Sequence, residues 1–196
     1  MVCKLMSTSR NASGFLLAEA LVAIGITSLL VLAICAFTMF SGHSFAALFN
    51  YVDLDDANRI CMDQLSRDVR QANYVDSFST ISVSGQIITN KVVLDVPNGA
   101  GSAKLSYEWL PSTRKLTRTS SSDNVAKVVL HDCDKLNFDV RQRNPVGGSY
   151  DVYPVATPGT AKVVDVSWLC SRTIFGRKEN TESVQTARIV IRKQGT

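Results

Sequence analysis

The sequence is poor in the residues and motifs on which most enzymes depend. Its 196 residues include only two histidines, and they contain neither a P-loop nor a G-x-G-x-x-G dinucleotide motif. A C-x-x-C pair and a D-x-D-x-D loop are also lacking, although tetrahedral zinc sites and EF-hand calcium loops use such patterns. We therefore expect no catalytic residues, no metal site and no cofactor, and a protein that is not an enzyme.

A strong excess of one charge is lacking as well. The 21 basic and 17 acidic residues leave a formal net charge of +4, whereas nucleic-acid binding usually requires a strongly basic face. The composition is 45% hydrophobic and 19% charged, which excludes a disordered or collagen-like chain. The sequence thus predicts a folded protein without a nucleic-acid partner.

The apolar residues are concentrated in one place. Residues 20–40, ALVAIGITSLLVLAICAFTMF, form a run without a charge. A helix of about 20 apolar residues crosses the hydrocarbon core of a bilayer. We predict one membrane-embedded segment followed by a water-soluble domain of about 150 residues.

Charges flanking this run predict its orientation. Residues 1–14 carry Lys4 and Arg10 and no acid, and positive residues before an apolar span favour a cytoplasmic N-terminus. Asp53, Asp55 and Asp56 follow the run. We expect a single-pass membrane protein whose C-terminal domain lies outside the cytoplasm, in the periplasm or its equivalent.

Three processing routes are compatible with such an N-terminus. Secretory cleavage near residues 44–46 would require an unusually long apolar core, and lipidation of Cys35 would follow Ile34 where a small residue is normal. Neither route explains Glu19, a carboxylate inside the apolar stretch, where acids are costly and usually have a function.

The stretch Gly14-Phe15-Leu16-Leu17-Ala18-Glu19 resembles the prepilin cleavage and N-methylation motif of the type IV pilin-like superfamily. The resemblance implies that a prepilin peptidase cuts between Gly14 and Phe15, removes the leader 1–14 and methylates the Phe15 amine. It further implies that Glu19 neutralises the N-terminal amine of a neighbouring subunit during assembly. From the residues alone, Glu19 could instead extend toward the membrane interface or favour the helix dipole.

The apolar period continues beyond the membrane run. Residues 15–40 are predicted as the transmembrane and assembly helix, and 41–75 as an amphipathic helix that enters the soluble domain. The alternative is two helices with a break near Gly42. The polar residues Arg67, Asp68, Arg70 and Gln71 are candidates for contacts with other subunits, or for an ordinary solvated face.

The period then changes to two, which is typical of strands. Residues 76–196 are predicted as an antiparallel β domain, and the whole chain as an α+β fold with the long helix packed on the sheet. The strands are expected at 80–84, 87–96, 105–109, 115–119, 125–131, 135–141, 162–170 and 186–193. Loops are expected at 144–160 and 172–186.

Several segments also resemble the J-type minor pseudopilin of type II secretion or the W-type minor pilin. They are residues 63–75, 104–119, 135–140 and 161–168. Two positions depart from the superfamily pattern: Ala18 stands where a larger aliphatic residue is common, and Ala36 stands where major pilins often have a kinking proline. The resemblance implies sibling pilins or pseudopilins and an inner-membrane assembly platform as partners.

Three cysteines fall in the soluble domain. If 135–141 and 162–169 pair as an antiparallel hairpin, Cys133 and Cys170 become neighbours and a disulfide is plausible, with free thiols as the alternative. The bond would contribute about 3–4 kcal/mol in the chain-entropy model. Cys61 would remain a buried thiol on the apolar helix face. The cluster His131-Asp132-Cys133-Asp134 is interpreted as a polar strand end because no second ligand cluster accompanies it.

Together these features predict a minor pseudopilin or minor pilin, a structural subunit of a type II secretion pseudopilus or type IV pilus-like filament. The alternative is a membrane-anchored periplasmic binding module or enzyme in which the match at Gly14–Glu19 is due to chance.

Overall fold

The structure is a computed structural model that describes residues 12–99, 101–143, 152–154, 157–173 and 182–192. The predicted leader therefore lies largely outside the described residues, as do parts of both predicted loops. The chain divides into two compact units, Met1–Ala46 and Ala47–Thr196. A single helix, α1 (Ala12–Gln71), supplies residues to both units.

The described residues have an α+β fold, as the periodicity predicted. Nine strands follow α1: β1 (Tyr74–Val83), β2 (Gln86–Asn98), β3 (Gly101–Leu110), β4 (Lys115–Ser120), β5 (Ala126–Leu130), β6 (Cys133–Arg143), β7 (Val152–Pro154), β8 (Ala161–Ser171) and β9 (Glu182–Val190). A short 3₁₀ turn, Pro158–Thr160, precedes β8. The helix continues through Gly25 and Gly42, and the alternative of two helices with a break near Gly42 is not observed.

The strands form two antiparallel sheets. The first is a five-stranded meander in the order β1-β2-β3-β4-β5, and the second has the order β7-β6-β8-β9. The β1–β2 turn is a two-residue loop in which Ser84 and Gly85 both have positive φ angles, 50° and 80°. Such a loop matches the twist of the strands that it joins.

The core of the second unit contains one stripe of α1 and the inner faces of the strands. Leu54, Cys61, Leu65 and Val69 repeat at helical spacing and are buried in one cluster with strand residues. The predicted inward sets are confirmed, since all of their members are buried: Leu136, Phe138 and Val140 on β6, and Val164, Val166 and Trp168 on β8.

A buried polar contact also joins α1 to the second sheet. The indole Nε1–H of Trp168 donates a hydrogen bond of 2.9 Å to Oδ1 of Asn58. Both residues are buried, so an indole N–H without this acceptor would have to be desolvated without compensation. Asn58 is therefore a polar residue that the core needs at that point.

Two predicted boundaries differ from the structure. The helix ends at Gln71 rather than at residue 75, and β1 begins at Tyr74 rather than at residue 80. Asp95 accounts for the helix end, because its backbone oxygen accepts from the Asn73 N–H at 2.7 Å and its carboxylate accepts from the Asn73 side chain at 2.9 Å. Likewise β9 begins at Glu182, inside the segment predicted as a loop.

Candidate functional site

The N-terminal residues that carry the prepilin resemblance lie in α1. Gly14 and Phe15 have helical backbone, but their side chains lie outside the described residues. Glu19 is exposed and lies with Ala18, Val22 and Ile26 along a shallow, almost wholly apolar depression of the helix surface. A carboxylate is therefore presented on a surface that offers it no polar neighbour in this depression.

The first half of α1 exposes apolar side chains on every side. Exposed fractions are 64% for Leu16, 68% for Leu29 and 72% for Phe40. By length and composition this helix could cross a membrane, with a mean hydropathy of 2.7 in its most apolar window. Phe45, Leu48, Phe49 and Val52 repeat at helical spacing among themselves and are exposed too. Surfaces of this size are unusual on soluble monomers and are typical of contacts with lipid or with other protein chains.

The described C-terminal unit presents a basic surface at the end of α1. Arg67, Arg70 and Gln71 line a shallow depression together with Pro97 and with Arg192, which follows β9. The three arginines are exposed, and none has an ion-pair partner among the residues that the structure describes. Three neighbouring guanidinium groups repel one another and favour an anionic partner.

Asp68, the fourth candidate, does not share that surface, because its side chain is held by partners within the fold. Its carboxylate accepts a hydrogen bond of 2.5 Å from the Tyr107 hydroxyl and one of 2.8 Å from Nε of Arg118. Burial and this hydrogen bond raise the pKa of Tyr107 well above its ordinary value. The cluster joins α1 to β3 and β4, and Asp68 thus has a role within the fold.

The polar strand end at residues 131–134 is part of an ion-pair network. Arg114 contacts Asp134 at 2.7 Å, and Arg172 pairs with Asp132 at 2.7 Å and with Asp53 of α1. Ser171 donates a hydrogen bond to the same Asp134 carboxylate. Arginine partners thus occupy both carboxylates of the His131–Asp134 segment.

Two residues of this network have an unusual backbone conformation. Arg114 and Asp132 have φ angles of 54° and 58°, in the left-handed region that glycine adopts most easily. The Cys133 N–H donates to the Arg114 carbonyl at 2.9 Å. The turn between β3 and β4 is thereby fixed to the start of β6.

Cys133 and Cys170 are direct cross-strand partners of β6 and β8, as the hairpin argument predicted. Both are buried, and both are free thiols in the structure. A hydrogen bond with Cys170 and burial raise the pKa of Cys133. The position of the two residues is therefore confirmed, while the disulfide stays a prediction.

No family model matches this chain, and no curated protein and no solved structure matches it. The prepilin resemblance consequently depends on the N-terminal residues themselves.

Some of these groups were not identified from the sequence. Arg192 is 121 to 125 positions beyond the helix residues that it joins, and no local pattern links them. Asn58 occupies a polar position inside an apolar stripe, which is a usable signal, because such a residue needs a buried partner.

Proposed function

We propose that this chain is a minor pseudopilin or minor pilin, a structural subunit of a type II secretion pseudopilus or a type IV pilus-like filament. A prepilin peptidase cuts it between Gly14 and Phe15 and methylates the Phe15 amine. The mature protein, residues 15–196, is held in the bacterial inner membrane by α1, with its C-terminal domain in the periplasm. It then enters the filament and makes no catalytic contribution.

The observation that carries this proposal is the position of Glu19 on α1. It is the sole charged side chain in residues 16–52, and it lies on an exposed apolar helix surface directly after the Gly14-Phe15 motif. A signal peptide or a simple anchor has no need for such a residue. An assembling bundle does, because the new Phe15 amine of a neighbouring subunit would otherwise remain an unpaired charge in an apolar environment.

The exposed surfaces support an assembly role over the alternative of an anchored binding module. Apolar side chains cover the first half of α1 on all sides, whereas an anchor needs only enough of them to cross the bilayer. The basic surface of Arg67, Arg70, Gln71 and Arg192 offers a second contact, suited to an acidic face of a sibling subunit. Sibling subunits, the peptidase and the inner-membrane assembly platform are the partners that this proposal requires.

Processing at Gly14 is tested by mapping the N-terminus of the protein purified from bacterial membranes that contain a prepilin peptidase. We expect a first residue of N-methyl-phenylalanine at position 15. Substitution of Gly14 by a bulky residue should abolish cleavage, because the peptidase in this family cuts after the glycine. Ser13→Ala, one residue earlier, serves as the matched control and should be processed normally.

Two results would contradict the proposal. An intact Met1 in a strain with active peptidase would favour a membrane-anchored protein with a chance motif. A start near Ala47 would show secretory cleavage, which releases the domain from its apolar segment and leaves no subunit that could assemble through Glu19.

A further inference from the structure

Three buried thiols meet in the core of the C-terminal unit. Cys61 lies on the buried stripe of α1, while Cys133 and Cys170 are register partners on β6 and β8. Their exposed fractions are 1%, 0% and 0%. Burial raises the pKa of Cys61 to about 12, and the charge of Cys170 adds to that rise, so these two thiols lie within electrostatic range of each other. We refer to the three residues as the thiol cluster.

Strand register favours one pair within the thiol cluster. The Ser171 N–H donates to the Asp132 carbonyl at 3.0 Å, which makes 132 and 171 a hydrogen-bonded pair. The adjacent pair, Cys133 and Cys170, is then a non-hydrogen-bonded pair, and the Cys133 N–H indeed donates to Arg114. In such pairs the Cα atoms lie about 4.5 Å apart, within the range of about 4.4–6.8 Å that a disulfide spans.

Metal binding by these three sulfur atoms is less well supported than disulfide formation. Among the residues that the structure describes, no group of three or more His, Cys, Asp or Glu side chains is arranged to hold a metal ion. The Cys133 thiol instead donates to the Lys135 carbonyl at 3.3 Å and contacts Cys170. Oxidation is the chemistry that this arrangement favours.

We propose that the thiol cluster is a disulfide-forming site that takes one bond, between Cys133 and Cys170, and keeps Cys61 reduced beside it. The bond forms by thiol–disulfide exchange with a disulfide oxidant. The two thiols lose two protons and two electrons, a sulfur–sulfur bond forms, and the disulfide of the oxidant is reduced to two thiols. Exposure to such an oxidant in the cell rests on the periplasmic location of the proposed function.

Burial also determines when the bond can form. The thiolate is the species that attacks a disulfide, and a buried thiol with a raised pKa is almost never ionised at neutral pH. Oxidation therefore precedes the closure of α1 over the strands. After closure, the same burial prevents Cys61 from attacking the finished bond, so the pairing is permanent once the core has formed.

The test uses the full chain in detergent, in a Cys35→Ser background that removes the exposed membrane-segment thiol. The protein is unfolded, reduced and refolded with mixed oxidised and reduced glutathione, then alkylated and mapped as non-reduced peptides. We expect a Cys133–Cys170 linkage, with Cys61 alkylated only after unfolding. Free thiols at all three positions, or a linkage that includes Cys61, would overturn the proposal.

The variant Cys61→Ala keeps the proposed bond, whereas Cys133→Ala removes it and leaves two thiols of the cluster, Cys61 and Cys170, that stay reduced. Since a core variant can fail to fold, the wild-type map decides the pairing by itself. The order of events has its own test: reduced protein that is already folded should resist glutathione disulfide, and rapid oxidation of that folded form would contradict it.

A second readout is thermal unfolding of the C-terminal unit in the full chain. The oxidised form should melt about 5–15 °C above the reduced form in both the wild type and Cys61→Ala. Equal melting temperatures would overturn the stabilising role of the bond. Because refolding takes place in vitro, this result is independent of N-terminal processing, and failure of one proposal does not imply failure of the other.

Discussion

Glu19 is an exposed carboxylate among apolar side chains, and no other charged residue of α1 has such apolar surroundings. A carboxylate near the centre of a membrane helix costs about 2.5 kcal/mol or more, and the cost is removed only by a partner or by the interface. Neighbouring side chains in its depression supply no polar group. Under the proposed function, that partner is the Phe15 amine of a neighbouring subunit.

Glu19→Ala should leave membrane insertion intact and impair filament assembly. Insertion depends on the apolar length, which the variant keeps or increases, whereas assembly loses the group that neutralises the Phe15 amine. Fractionation of membranes and of sheared filaments measures the two effects. Ser28→Ala is the matched control, because the Ser28 hydroxyl donates a hydrogen bond of 2.8 Å to the Gly25 carbonyl of its own helix. Normal filament yield from Glu19→Ala would remove the role assigned to the carboxylate.

The meeting of Cys133 and Cys170 illustrates what a sequence reveals about single residues. Alternating apolar residues on either side fix which strand face each cysteine occupies, and antiparallel pairing then fixes the partner. No comparable sequence pattern identifies the partners of Asp68. A polar residue on a helix has the same local pattern whether it faces solvent or a Tyr107 hydroxyl that lies 39 positions away.

At the level of elements, the cluster of Asp68, Tyr107 and Arg118 ties the end of α1 to β3 and β4. Side chains of Asp68 and Arg118 are only 14% and 26% exposed, so their ion pair is screened less than a surface pair. Tyr107 is buried with its hydroxyl on the Asp68 carboxylate, an arrangement that requires the phenol to keep its proton. Ionisation of this tyrosine is thus incompatible with the folded state.

This arrangement predicts a loss of stability at alkaline pH. The pKa of Tyr107 is raised in the folded chain, so the stabilisation is complete below the unfolded value of about 10 and declines as the pH rises above it. The free energy of unfolding, measured in urea from pH 8 to 11, should fall more steeply for the wild type than for Tyr107→Phe. The variant should also lose about 1 kcal/mol at neutral pH.

The comparison of the two slopes isolates Tyr107 from Cys61, whose pKa is raised in the same direction. Tyr51→Phe, a change at an exposed position of α1, serves as the control and should follow the wild type. Parallel curves for the wild type and Tyr107→Phe would show that this hydroxyl ionises equally in both states.

Element boundaries were predicted less well than element types. Alternation identified β6 and β8 and the β3–β4 hairpin, whose partners run from Leu105–Ser120 to Leu110–Lys115. The end of α1 depends on Asp95, which meets Asn73 only after β2 has folded back. Helical periodicity alone continues past Gln71, because Ala72 and Val75 still fit the buried stripe.

On the scale of the whole molecule, each unit presents one surface that its own residues do not complete. The first half of α1 is apolar on all sides, and the C-terminal unit has the basic surface of Arg67, Arg70, Gln71 and Arg192. The uncharged run of residues 20–40 predicted the first surface. Helical spacing identified only the helical part of the second surface, since Arg192 joins it through the pairing of β9 with β8.

Reversal of charge at the basic surface should weaken association with sibling subunits. Arg67→Glu, Arg70→Glu and Arg192→Glu, combined, replace attraction to an acidic face with repulsion, and we expect co-purification with siblings to fall at least tenfold at low salt. The exposed Lys127→Glu on β5 is the control for net charge. Unchanged recovery at low salt would show that this surface faces solvent in the assembly.

The left-handed residues at the ion-pair network have a consequence for how this sequence can change. Glycine would adopt the φ angles of Arg114 and Asp132 more easily, yet it would remove the guanidinium that contacts Asp134 or the carboxylate that holds Arg172. At these two positions the backbone conformation therefore favours glycine, whereas the ion pairs require a charged side chain. A glycine at either position would ease the backbone and lose an ion pair, so each position has its own reason to keep its residue.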